Sequence, residues 1–177
     1  MLSPLTKPGS TLAGCVAVAA ALVGGARCQT HQRLVRQDED VVVNDLRSLR
    51  SAEAAYEASN AGFPDVPGCL AGPQRCIPNY PKDAPPFLST SLASLAEENG
   101  YVRAFHPGPA APGVACPPQA CSPSSLMAWA YTAVPIRDRR RRKSFCVDST
   151  GRICALLDGK PPSVVEGRCP SPCERIQ

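Results

Sequence analysis

The chain has 177 residues, of which 20 are Pro, 13 Gly and 10 Cys; aromatic residues make up 5%, and the formal net charge is +4. Leu, Ile, Val and Phe together number 36, close to the one-fifth of a chain below which burying enough apolar surface becomes difficult. That composition fits one ordinary domain with a small core and long irregular loops, and argues against a large Rossmann sheet or barrel.

Ten cysteines beside only two histidines, without paired C-x2-C knuckles, argue for disulfides rather than zinc. Disulfides persist in oxidising compartments, so the expected location is extracytoplasmic: periplasm, cell surface or exterior. The N-terminus offers a matching segment. Lys7 supplies a positive flank, Thr11 to Val23 is apolar and Ala-rich, and Gly24-Gly25-Ala26 provides small residues for a signal peptidase. Extended to Ala26 the apolar run covers about 16 positions, short of the ~20 a spanning helix needs, so residues 1–29 read as a signal or a short membrane anchor.

Next comes an amphipathic helix, expected from about Thr30 to Ser59. Val42, Leu46, Leu49, Ala52 and Tyr56 recur at helical steps, while Arg47, Arg50, Glu53 and Glu57 are placed largely elsewhere around it. The N-terminal half is expected to project as a stalk, because Gln37 to Asp40 is too polar for a core. Asn60-Ala61-Gly62 is the stop signal, with Pro64 behind it.

Seven prolines between Phe63 and Phe87 predict an irregular loop, with Cys69 and Cys76 as a local bridge. A short helix over Thr90 to Glu98 follows, with Leu92 and Leu95 facing inward and Asn99-Gly100 ending it. The remaining pattern is β. Tyr101–Phe105 and Leu126–Val134 read as strands separated by a Pro-rich excursion carrying Cys116 and Cys121. Ser144–Asp148 and Arg152–Leu156 read as a hairpin whose three-residue loop places Gly151 in the left-handed region. That register sets Cys146 opposite Cys154, which predicts a cross-strand disulfide, with Cys116–Cys121 and Cys169–Cys173 as further local pairs. Residues 159–177 read as a Cys/Pro-rich tail after a globular domain of residues 30–158.

This order of elements resembles the globular part of bacterial type IV pilin-like and pseudopilin-like proteins. The resemblance rests on Asp45-Leu-Arg-Ser-Leu-Arg-Ser-Ala-Glu-Ala-Ala-Tyr56, Gly100-Tyr-Val-Arg-Ala-Phe105, Ala130-Tyr-Thr-Ala-Val-Pro135 and Ser144-Phe-Cys-Val-Asp-Ser-Thr-Gly-Arg-Ile153. It implies an α+β fold, a long N-terminal helix packed on a small antiparallel sheet, with disulfide-stabilised loops. It carries no catalytic residue across. Lys7-Pro8-Gly9-Ser10-Thr11-Leu12 is similar to a prepilin cleavage segment in degenerate form: Ser10 stands in the aromatic position and Gly14 where a Glu belongs.

No G-x-S-x-G elbow, Walker loop or H-E-x-x-H motif occurs, and His31 and His106 read as surface residues. No catalytic, metal or cofactor site is expected, and Asp148 reads as a turn former. The sharpest local feature is the basic run Arg137, Asp138, Arg139, Arg140, Arg141, Arg142, Lys143. Its local charge of +5 exceeds that of the whole chain, so the rest sums to about −1. Such a run is either a solvated loop or a contact for nucleic acid, anionic lipid or acidic polysaccharide.

The functional expectation is a non-enzymatic pilin-like cell-envelope protein, a structural or assembly subunit or a surface-displayed module. It would be anchored in the inner membrane facing the periplasm, or secreted. Its partners would be other pilin or secretion-system subunits, and the membrane itself where the N-terminal segment is uncleaved. The alternative is a secreted disulfide-rich module binding a polyanion through the basic loop.

Overall fold

The computed structural model describes residues 13–95, 97–111, 122, 124–137 and 142–176, with the side chains of 13–32 excepted. The chain divides into two compact units, Met1–Gln37 and Asp38–Gln177. Helix α1, Ala13–Asn60, starts well before the expected Thr30 and ends at the expected stop. Ala61 takes a left-handed φ of 54°, and Gly62 follows where an added Cβ would lie 2.7 Å from the Ser125 Cβ. Only a residue without a side chain fits beside Ser125 there.

In the second unit Val42, Leu46, Leu49, Ala52 and Tyr56 are all buried in the main apolar cluster. Fully burying each large aliphatic member of such a stripe contributes about 1.5–3 kcal/mol. The Pro-rich segment after α1 contains two short helical pieces between its prolines, α2 (Gly68–Ala71) and a 3-10 turn (Pro73–Arg75). The Cys69–Cys76 disulfide ties them together, and the Leu70 carbonyl accepts hydrogen bonds from the Phe87 and Leu88 amides, at 2.9 and 3.1 Å. Helix α3 is only Thr90–Ala93, shorter than the expected Thr90 to Glu98, because Leu95 already has a left-handed φ of 55°.

Five strands follow in chain order: β1 Tyr101–Pro107, β2 Trp129–Pro135, β3 Ser144–Asp148, β4 Ile153–Leu156 and β5 Glu174–Ile176. They form one antiparallel sheet in the order β1-β2-β3-β4-β5, so the chain is α+β. Alternation assigns the two faces. Trp129, Tyr131, Ala133, Phe145, Val147, Ile153 and Ala155 join the same apolar cluster as the α1 stripe. Ala130, Cys146 and Cys154 point the other way, into a second cluster with Cys169.

The outer edge of β1 is largely closed. The bonds Ile136 N to Gly100 O and Gly108 N to Ala128 O set the ladder phase, so odd-numbered β1 residues turn their backbone groups away from β2. Tyr101 exchanges its two bonds with Glu98, and Pro107 has no N–H. Among the described residues this leaves outward N–H groups only at Arg103 and Phe105, which limits pairing with foreign strands.

Candidate functional site

Within the second unit, the end of the basic run, Arg142 and Lys143, meets the start of that unit. Arg142 Nη2 donates to Asp38 Oδ2 at 2.9 Å, and its guanidinium lies 5.9 Å from the centre of the Tyr101 ring. The Lys143 amide donates to Glu39 Oε1 at 3.0 Å, and the Tyr101 hydroxyl donates to the Lys143 carbonyl at 3.1 Å. The polar stretch Gln37 to Asp40 was expected to lie on a stalk outside the domain; instead its carboxylates Asp38 and Glu39 are the acceptors for the end of the basic run. Of the polyanion-binding candidates, Arg137 is exposed, Arg142 and Lys143 are half-buried, and Arg139, Arg140 and Arg141 lie outside the described residues.

The cysteines correct a second expectation. Cys146 and Cys154 are register partners in the β3–β4 ladder, yet Cys146 is bonded to Cys169 and Cys154 to Cys173. The reason lies in the ladder phase. The hairpin closes with Gly151 N to Asp148 O and Asp148 N to Arg152 O, which makes Asp148–Arg152 a hydrogen-bonded pair. Two residues on, Cys146–Cys154 is again such a pair, the class with the wider separation, in which the side chains stand side by side rather than converge. Both sulfurs instead reach the segment that crosses over them. The expected Cys169–Cys173 bond is therefore excluded, Cys69–Cys76 is present, and Cys116–Cys121 lies outside the described residues. The last residues are thereby part of the domain: β5 pairs with β4 as the final strand.

Asp148 organises the same corner. Fully buried, it accepts from the Thr150 amide and hydroxyl through Oδ1 and from the Cys169 amide through Oδ2 at 2.9 Å. This is the turn-forming role, extended to hold the crossing segment. His106 Nε2 lies 2.9 Å from Thr132 Oγ1 on the neighbouring strand, and burial lowers its pKa, favouring the neutral ring. Arg103 is buried and bonded to Asp45 of α1 through Nη2 and to Glu98 through Nη1.

Glu53 is the residue the sequence reading misplaced. It was set on the outer side of α1, but it lies seven residues after Leu46 and three before Tyr56, which at 100° per residue returns it to the apolar stripe. It is completely buried. Oε1 accepts a hydrogen bond from the Tyr131 hydroxyl at 2.9 Å, and Oε2 has no partner among the described residues. Loss of hydration pushes its carboxyl up to about 8, with the neighbouring Glu57 carboxylate acting in the same direction and the Tyr131 bond opposing it.

Two surface clefts flank α1. One, of about 560 Å³, lies between Arg47, Ser51 and Ala55 and the segment Phe87 to Leu92; the other, of about 620 Å³, lies between Val43 and Asn44 and the residues Phe145 of β3 and Ile176 of β5. Neither gathers a nucleophile, a base and an oxyanion donor. Among the described residues there is no group of His, Cys, Asp and Glu that could hold a metal ion, and no helix long and apolar enough to cross a membrane. Comparison with known proteins gave no match to a protein-family model, to a curated protein or to a solved structure.

Proposed function

We propose that this chain is a non-enzymatic, pilin-like protein of the cell envelope, acting as a structural or assembly subunit or as a surface-displayed module. The observation that carries the reading is the element order: a 48-residue helix, a loop-rich connection, then an antiparallel meander closed by a disulfide-bonded C-terminal segment. On this reading the long N-terminal helix packs on the small sheet through the Leu46, Leu49 and Tyr56 stripe, and its N-terminal segment meets the membrane or other pilin or secretion-system subunits. The three disulfides among the described residues support an oxidising, extracytoplasmic location.

The alternative, a secreted polyanion binder, has less behind it. Arg142 is engaged by Asp38, and the backbone of Lys143 by Glu39. Fractionation with N-terminal sequencing of the mature chain tests both. Recovery with membranes or sheared surface material supports the envelope subunit, whereas a chain cut after Ala26 and found only in the medium would overturn it.

A further inference from the structure

The interior of the second unit holds an acid where a hydrophobic residue would be expected. Glu53 faces β2 from the middle of the α1 stripe, and the ionisable and charged groups around it can be named element by element. On α1 itself they are Glu57, an acid one turn on, and the phenol of Tyr56, which also feels Asp65 from the following loop. From β2 comes Tyr131, whose hydroxyl reaches Oε1. From β1 the inward cation is Arg103, already taken by Asp45 and Glu98. Strands β3 and β4 contribute Phe145, Val147, Ile153 and Ala155, all apolar. No ion pair among the described residues includes Glu53.

A carboxylate in such a place would be an uncompensated buried charge, with one oxygen lacking a donor among the described residues. A neutral acid meets a much smaller penalty. We propose that Glu53 is a proton-gated latch on the seam between α1 and β2: protonated, it sits under Tyr131 and the seam is closed; ionised, it loosens the seam and brings water to the Tyr131 and Trp129 side of the core.

The sign follows from the raised carboxyl. An unfolded glutamate ionises near 4.5, whereas the folded one holds its proton to about 8. Between these values folding takes up one proton, so the folding equilibrium constant falls close to tenfold per pH unit as pH rises, and levels off above the folded value. The molecule carries its own reporter. Trp129, the single tryptophan, is buried with its ring centre 5.4 Å from that of Tyr131.

The experiment uses the full oxidised chain, with urea unfolding and Trp129 emission followed from about pH 5 to about pH 9 in the wild type, Glu53→Gln and Tyr131→Phe. Relative to Glu53→Gln, the wild type is expected to lose stability close to tenfold per pH unit up to about 8. Without denaturant, its Trp129 emission is expected to shift to the red at the alkaline end. Tyr131→Phe removes a bond that favours the charged form, so its transition is expected at higher pH than in the wild type. An infrared measurement on the wild type alone keeps the test valid if a variant fails to fold: a protonated-carboxyl band present near pH 6.5 and lost near pH 9 supports the latch. Its absence near pH 6.5 overturns the proposal. So does a Glu53→Gln chain with the wild-type pH dependence, or a Trp129 emission that stays constant while the acid ionises.

Discussion

Cys146 and Cys154 face each other across the β3–β4 ladder, and each is covalently bonded to a different cysteine of the C-terminal segment. The two bridges, to Cys169 and Cys173, lie side by side and fasten that segment over the sheet face opposite α1. Peptide mapping without reduction should recover the pairs 146–169 and 154–173. Replacing both Cys169 and Cys173 with Ser should lower stability by about 3–5 kcal/mol and leave two titratable thiols on adjacent strands. A fragment joining Cys146 to Cys154 in the native protein would contradict the crossing.

Arg103 joins β1 to α1. Its side chain is 2% exposed, with Asp45 at 25% and Glu98 at 58%, so the Asp45 contact contributes more to stability than the Glu98 one. Arg103→Met should cost about 2–3 kcal/mol in urea unfolding, chiefly because it leaves Asp45 without its cation. Glu98→Gln should cost less than about 0.5 kcal/mol.

For the basic run, the contacts of Arg142 separate two effects. Arg142→Ser removes the Asp38 pair and the Tyr101 contact, and should lower stability by about 1 kcal/mol whatever the run binds. Changing Arg139, Arg140 and Arg141 to Ser while keeping Arg142 is therefore the cleaner assay for a polyanion. Retention on single-stranded DNA that weakens with salt at a log–log slope of ~0.7 per contact should diminish in that variant if those arginines bind phosphate. Unchanged retention would leave the run as a solvated loop.

Asp148→Ala should be among the more damaging single changes in the hairpin. It removes acceptors for the Thr150 amide and hydroxyl and for the buried Cys169 amide, an expected loss of about 2–3 kcal/mol measured by thermal or urea unfolding. Asp148→Asn keeps one acceptor oxygen and should lose about half as much.

Local signals in the sequence located the elements well. The stop at Asn60, the hairpin with Gly151 at φ 77° and the local Cys69–Cys76 bridge were all legible from spacing and turn chemistry. Readings that depended on distant chain failed. Nothing near Cys146 signals that residues 169–173 will cross over it, and the polarity of Gln37 to Asp40 says nothing about a cationic loop arriving about a hundred positions later. Glu53 is a different case: its helical phase places it on the apolar stripe, and only its charge points to the outside. Hydropathy assigns an acid to water by default, and it took the Tyr131 hydroxyl, 78 residues away, to provide a partner inside.

The crossing of the C-terminal segment has a consequence for the order in which the bonds can form. A chain made N-terminus first presents Cys146 and Cys154, on the neighbouring strands β3 and β4, before either of their native partners has arrived. The formed hairpin holds their side chains side by side and so disfavours a bond between them, and each sulfur is left for the segment that brings Cys169 and Cys173 across the sheet. The native pairing therefore waits on the last residues, and a chain truncated before Cys169 should keep Cys146 and Cys154 as two thiols open to a thiol reagent.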